Sequence, residues 1–551
     1  MRRSVRLRPW QKRALGTLAA DPRRDFLAVA TPGAGKTTFA LTAAITDLQE
    51  HPQRRVVVVA PTQHLKMQWA RAAGALGLHL EPQWTFHDRA VPADMHGVVV
   101  TYQQVAVGPA AIARVAADSF AIFDELHHAG AERAWGDALE EAFTAAGRRL
   151  ALSGTPFRSD TNPIPFVRYD GDEACADYVY GYGDALGEGG VVRPVHFPRV
   201  DGEMEWVAPD GLAHSHTFAD TLDRVRAGQR LRTALSVDGE WLPAVLDRAH
   251  RRLGEIRRQE PDAGGLVIAM DQDHARGVAT LMADRLGIRP VVATSEDPDA
   301  SARITRFGAG DSPWIVAVRM VSEGVDLPRL RVGVFATNIV TELFFRQAVG
   351  RLVRWRAPAR GVATGAPEAQ AAHFFIPDDE RLRTYAARIA EERRHSLRRP
   401  SHDEEEPAGP MEEMVDGPAD EQLSLFAAIS AVAIGDPEPP GPAEPETGGA
   451  AVQTNPAPEV EEDPSLLIDL APPPLRGVEF DEPAVPRQAR KKDLRDENAA
   501  RARELVRLTG MTHAQVNREL NRLAGVRRVA EATVSQLRAR VDQADRWMRR
   551  L

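Results

Sequence analysis

Three short stretches of this chain hold side chains suited to work on a phosphate. The first is A-T-P-G-A-G-K-T, Ala30 to Thr37. Backbone N–H groups of such a glycine-bearing turn, with Gly33 and Gly35 giving close approach, form an anion nest. Lys36 would reach the β- and γ-phosphates and the Thr37 hydroxyl would ligate Mg²⁺, so the pattern predicts ATP and Mg²⁺ as cofactors. The second is Asp124-Glu125-Leu126-His127. Asp124 suits an Mg²⁺ partner, direct or through water, and Glu125 suits the group that orients and polarises an attacking water. The third is Q-A-V-G-R-L-V-R, Gln347 to Arg354. Three-residue spacing on a helix would put Arg351 and Arg354 on one face, able to point across a cleft together. Arginines supplied to a transferring phosphoryl group are worth about 10³ to 10⁵ in kcat.

These residues need elements to hold them. Phe26 to Ala30 is an apolar run that reads as a buried parallel strand, with a helix from near Lys36 after the turn. Phe120 to Phe123 is a second such strand, and it delivers Asp124 and Glu125 to the carboxyl edge, where α/β sheets bind ligands. His127 and His128 suggest zinc only in isolation, because no H-E-x-x-H or cysteine cluster completes a site. Further on, Gly264 to Met270, Pro290 to Thr294 and Trp314 to Val318 read as strands separated by helical patterns, so a second parallel α/β sheet follows.

Taken in order, the segments resemble superfamily 2 helicases. The turn is a variant with Ala30 where the first glycine usually stands. Asp124 to His127 looks like the D-E-x-H box, and L-S-G-T-P-F-R, Leu152 to Arg158, looks like motif III. L-R-P-W-Q at Leu7 to Gln11 is similar to the adenine-reading segment of the branch that holds type III restriction motor subunits and XPB-like translocases. The resemblance runs from Leu7 to about Trp355. It implies that Gln11 bonds the adenine edge, with Arg8 and Trp10 supporting the base. Val56 to Thr62 is similar to motif Ia, and Val98 to Gln103 repeats its form. Pro61, Thr62 and Thr101 are thereby implicated in gripping nucleic-acid phosphates without reading bases. His127, Ser153 and Thr155 are implied to couple nucleotide state to that track. S-E-G-V-D-L-P, Ser322 to Pro328, resembles motif V, which places Gly324 near nucleotide and Asp326 on its ribose; Gln347 joins the nucleotide set. A leading glutamine there, and Ser153-Gly154-Thr155 in place of S-A-T, point away from the DEAD-box RNA helicases.

Composition sets the limits. The single cysteine, Cys175, excludes an internal disulfide and fits a reducing, cytoplasmic setting. No apolar run approaches a membrane span and the first residues contain no signal-peptide core. The formal net charge of −9 is unexpected for a nucleic-acid binder until its distribution is examined. Residues 401–486 hold 21 acidic residues and one basic, with many Pro, Ala and Gly; residues 487–551 hold 17 basic and 8 acidic. The first stretch reads as an extended solvated linker. The second reads as three helices: Asp493 to Leu508, one capped by Thr512 and Gln515 and stopped near Gly525, and Thr533 to Arg550. Such a module suits a nucleic-acid backbone, a partner, or merely solubility. Within the linker, Gln422-Leu423-Ser424-Leu425-Phe426 resembles the peptide by which proteins bind the bacterial sliding clamp, with Leu425 and Phe426 filling an apolar pocket. A short helix docking on the protein itself is the competing reading.

The expected architecture is therefore α/β: two tandem RecA-like parallel-sheet domains, a disordered acidic linker and a small α-helical C-terminal module. The boundaries are 1–195 for the ATP-binding domain, 196–235 for the connection, 236–400 for the second RecA-like domain, 401–486 for the linker and 487–551 for the basic module. The expected function is an ATP-dependent DNA helicase or translocase. The alternatives are an RNA helicase or ribonucleoprotein remodeller, and an ATP-switched DNA-binding adaptor that recruits a partner without unwinding.

Overall fold

A computed structural model describes residues 3–88, 90–126, 133–154, 164–171, 173–208, 211–294, 297, 299–318, 327–356, 370–398, 427–434, 466–475 and 487–551. Of the residues singled out above, His127, His128, Thr155, Gly324, Asp326 and the peptide Gln422 to Phe426 lie outside these. The chain divides into two compact units. One comprises Met1–Val29, Gly35–Val179 and Val460–Leu551; the other comprises Ala30–Ala34 and Tyr180–Glu459. Each carries an α/β sheet with a parallel centre.

The first unit is built on seven strands in the order Tyr178–Tyr180, Asp25–Ala30, Arg148–Ser153, Phe120–Phe123, Val56–Ala60, Gly97–Thr101, Leu80–Glu81. From Asp25–Ala30 to Leu80–Glu81 every neighbouring pair is parallel. The central strands are mainly apolar, as expected of a parallel sheet covered on both faces. Val56 to Ala60 are all fully buried, as are Val98 to Val100. Gly97 is required by close packing: a Cβ there would lie 1.8 Å from the Val56 carbonyl oxygen. The crossover connections return each strand in the same direction, so the loop after Ala30, Asp124–Glu125 and Gly154 all emerge at one carboxyl edge.

The second unit has a nine-stranded sheet. Its parallel centre runs Ala372–Pro377, Leu330–Ala336, Gly264–Ala269, Trp314–Ala317, Val291–Ala293. Where the sequence suggests a connection after 195, the structure places sheet. Val195–His196 and Arg199–Val207 both pair with Ala372–Pro377, and Ala213–Thr217 adds an antiparallel strand. Met204 and Trp206 alternate into the core of this unit beside Trp241 and Phe218.

The acidic stretch is not solvated along its whole length. Ala427–Ile434 pairs antiparallel with Arg199–Val207, and Ala431 is buried in the core there. Its run A-A-I-S-A-V-A-I carries no charge, so pairing leaves no ion to desolvate. Leu467–Leu470 pairs antiparallel with Arg3–Arg6 in the first unit.

The three C-terminal helices are Arg487–Thr509, His513–Leu523 and Val534–Met548. Thr512 with Gln515, and Thr533 with Gln536, form the capping boxes that start the last two. Gly525 has φ +63°, which suits a chain leaving a helix. The module packs on the first unit through part of its basic charge. Lys491, fully buried, donates to Asp94 Oδ1 at 3.1 Å and lies 3.6 Å from Glu81 Oε2. Arg495 bonds both carboxylate oxygens of Glu81, at 3.1 and 2.8 Å, and Arg487 donates to the Asp94 carbonyl. These cations therefore hold the module to its own chain.

Candidate nucleotide site

The helix Lys36–Glu50 begins directly after the turn, with Gly35 as its N-cap. Gly33 and Gly35 have φ of +84° and +91°, conformations that side chains other than glycine rarely adopt. Gln11 secures the turn. Its Nε2 donates to the Gly35 carbonyl at 2.9 Å while its Oε1 accepts from Arg8 N at 2.8 Å, and the side chain is buried. A Cβ on residue 35 would fall 2.8 Å from that Nε2. The residue expected to read adenine braces the glycine turn in this structure. Trp10, fully buried, packs on Phe39 and Tyr178 rather than standing open for a base.

Lys36 Nζ forms a 2.8 Å ion pair with Glu125 Oε1. The other carboxylate oxygen of Glu125 accepts from Gly154 N at 3.1 Å. Three carboxyl-edge segments, predicted separately, therefore converge on one carboxylate. Glu125 has φ +49°, a conformation that costs a non-glycine residue energy and recurs where a side chain is held for function. A Cβ on Gly154 would lie 3.0 Å from Lys36 Nζ, so the flexible end of that lysine would have to give way to any larger residue.

Asp124 is buried beside this pair. Its Oδ2 accepts from Trp69 Nε1 at 2.7 Å, and its carbonyl accepts from Tyr102 OH at 3.0 Å. Neither aromatic residue was singled out by motif. The available signal was a tryptophan seven positions after Thr62, two helical turns in and on the face of the helix start. The oxygen donors fit a phosphate-bound divalent cation, a hydroxyl from Thr37 in the first helical turn and an acidic oxygen from Asp124, while Lys36 at the mouth of the turn suits the phosphate itself.

Thr62 and Thr101, expected to grip nucleic acid, are both helix N-caps. Thr62 Oγ1 accepts from Leu65 N at 3.3 Å, and Thr101 Oγ1 accepts from Gln104 N at 3.2 Å in a capping box. The hydroxyls orient two helix starts that present N–H groups at the carboxyl edge. Pro61 precedes the first of these caps in the bend after strand Val56–Ala60. Ser153 ends its strand fully buried.

In the second unit the helix Glu342–Leu352 carries Gln347 and Arg351. It stops before Arg354. Val353 is its C-cap, and Arg354 forms an isolated antiparallel bridge with Val192. The expectation that both arginines share a helix face fails, because the chain turns extended to accept that bridge. Arg193 N donates to the Val353 carbonyl at 2.7 Å and fixes the same turn. Within this unit, which includes Ala30–Ala34, Gly350 meets Pro32 closely: a Cβ on Gly350 would lie 2.5 Å from Pro32 Cγ. A Cβ on Gly33 would lie 3.6 Å from Arg354 Cγ.

Among the described residues, no cluster of His, Cys, Asp and Glu could hold a metal by itself, and no helix is long and apolar enough to cross a membrane.

Comparison with known proteins bears on the first of these sites. Residues 4–158 match the family model of the type III restriction enzyme, res subunit. An uncharacterized protein of Mycobacterium tuberculosis is 47% identical over 401 residues, which cover 72% of this chain and 65% of that protein. An uncharacterized protein of Mycobacterium leprae is 46% identical over 402 residues, with the same two coverages. The chain thus spans about 65% of the length of these relatives. A fragment of a putative HsdR subunit of a type I restriction enzyme from Vibrio vulnificus has a TM-score of 0.48 at 17% identity, covering 69% of this chain and 65% of that one.

Proposed function

We propose that this chain, whose residues 4–158 form a superfamily 2 helicase-like domain of the type III restriction branch, hydrolyses ATP and couples hydrolysis to movement along, or unwinding of, DNA. The observation that carries the reading is the Lys36–Glu125–Gly154 constellation, with Asp124 alongside. A phosphate-binding lysine and a carboxylate able to act as base touch at the carboxyl edge of a parallel sheet, as a nucleotide hydrolase requires.

Gly33, Gly35 and Lys36 bind the phosphates, Gln11 orients the base, and Thr37 with Asp124 would hold Mg²⁺. The cation would neutralise charge between the β- and γ-phosphates. An incoming γ-phosphate competes with Glu125 for Lys36. As the lysine moves to the phosphate, Glu125 is released to orient a water and accept its proton. The motif resemblance assigns charge stabilisation to Gln347, Arg351 and Arg354, and the ribose to Gly324 and Asp326. Pro61, Thr62 and Thr101 grip backbone phosphates, and His127, Ser153 and Thr155 relay nucleotide state to them. DNA is favoured over RNA by the glutamine at 347 and by Ser153-Gly154-Thr155.

The test is ATPase rate with single-stranded DNA, duplex DNA and RNA, for the wild type and Lys36→Ala. DNA should stimulate hydrolysis, and the variant should lose on the order of 100-fold or more. Stimulation by RNA alone would overturn the DNA assignment. Tight DNA binding with no stimulated hydrolysis would instead favour an adaptor.

A further inference from the structure

We infer that Trp69 is a positioning residue for the Asp124 carboxylate, and that Trp69 and Tyr102 connect the helix caps Thr62 and Thr101 to the cation site. This rests on the proposed function above for the roles of Asp124 and of the two caps. The contacts themselves are independent of it.

Trp69 lies on helix Gln63–Ala75, which Thr62 caps. Its indole N–H donates to Asp124 Oδ2 at 2.7 Å, with both side chains buried. Tyr102 is the first residue of helix Tyr102–Val107, which Thr101 caps, and its hydroxyl donates to the Asp124 carbonyl at 3.0 Å. One residue is therefore held twice, at its carboxylate by one helix and at its backbone by the other. The two helices are also tied to each other. Lys66 Nζ donates to Gln104 Oε1 at 2.8 Å, and that same oxygen accepts from Thr101 N at 3.0 Å. Tyr102 in turn stacks on Trp135, with ring centroids 6.4 Å apart.

A carboxylate fixed through one oxygen has the direction of the other set as well, so the Trp69 bond selects how Asp124 faces a cation. Partners of this kind typically change metal affinity 10- to 100-fold when removed. A backbone phosphate drawing on either cap shifts a helix that touches Asp124, through Tyr102 at the first residue of one and Trp69 two turns into the other. The grip on the strand is thus felt at the cation site through rigid, buried groups. By linkage the effect is reciprocal: nucleic acid should tighten the Mg²⁺–nucleotide complex by the factor by which that complex tightens nucleic acid.

The experiment is an Mg²⁺ titration of binding of a fluorescent ATP analogue, with and without single-stranded DNA. Trp69→Phe should raise the Mg²⁺ midpoint about 10-fold and abolish its response to DNA. Tyr102→Phe, which deletes only a hydroxyl and guards against a folding defect in the first variant, should shift it in the same direction by a smaller factor. In an Asp124→Ala background Trp69→Phe should add nothing, since an effect acting through Asp124 vanishes with it. An unchanged midpoint in Trp69→Phe, or a full shift that persists in the Asp124→Ala background, would overturn the inference. If wild-type hydrolysis proves insensitive to nucleic acid, the proposed function fails, while the midpoints without DNA still decide whether Trp69 positions Asp124.

Discussion

Replacing Lys491 by Met should release the C-terminal module from the first unit. The ammonium is fully buried between two carboxylates whose side chains are 2% and 5% exposed, Glu81 and Asp94. Burial is the largest influence on Lys491 and holds its pKa below the usual lysine value, against the pull of Asp94 and Glu81. Taking the charge out of water therefore costs more than its partners return, and the group adds little net stability while intact. Its removal is another matter. Glu81 would keep its two bonds from Arg495, and Asp94 would keep the Val534 N–H on Oδ2 at 2.9 Å. Asp94 Oδ1 would lose its charged partner inside the protein, and breaking a buried pair from one side costs about 3–5 kcal/mol. At about 1.4 kcal/mol per factor of ten, amide exchange at the docking segment Arg487–Asn498 should accelerate roughly 100- to 4,000-fold, up to the limit set by the module's own stability. Adding Asp94→Asn removes the orphaned charge and preserves an acceptor for Val534. The double variant should recover to within about 1–2 kcal/mol of the wild type. The assay is hydrogen exchange of that segment, beside urea unfolding. Wild-type exchange in Lys491→Met, or no recovery in the double variant, would refute the argument that desolvated charge dominates this contact.

Two further outcomes follow from other buried groups. Gly154→Ala should leave the fold intact but lower ATPase about 10- to 100-fold, because the new Cβ would sit 3.0 Å from Lys36 Nζ and displace the flexible end of the lysine from Glu125; parallel losses of thermal stability and activity would contradict this. His96 is held neutral by burial, its pKa pushed down to about 4, with Nδ1 accepting from His79 N and Nε2 donating to the Pro473 carbonyl. The unfolded imidazole takes up a proton near pH 6.5, so below that the unfolded state binds more protons and stability falls as pH falls, by at most about 1.4 kcal/mol per pH unit until about pH 4. Urea unfolding of His96→Gln across this window should show a shallower slope than the wild type, and equal slopes would exclude the assignment.

How much was legible beforehand depended on the range of the interaction. The turn Ala30 to Thr37 could be read because strand, glycines and helix are consecutive, and the helix does begin at Lys36. Asp124 and Glu125 could be placed at a strand end for the same reason. The pairing of Arg351 with Arg354 on one helix face could not, because the helix end is set by a bridge to Val192, distant in sequence. Strand Ala427–Ile434 was hidden by the acidic composition around it, and its place depends on an edge offered by Arg199–Val207. The basic module's helices and caps followed from local pattern, yet its net charge gave no hint that Lys491 and Arg495 are engaged by Glu81 and Asp94.

The sequence by itself determined the order of the strands' apolar runs, the phosphate turn, the acidic pair and the capped helices, since each is a property of neighbouring residues. The tertiary structure alone decided that Gln11 braces Gly35, that Gly154 and Lys36 share Glu125, and that Trp69 holds Asp124. Those contacts join residues from separate crossovers, and parallel sheet order is what brings their ends to one edge.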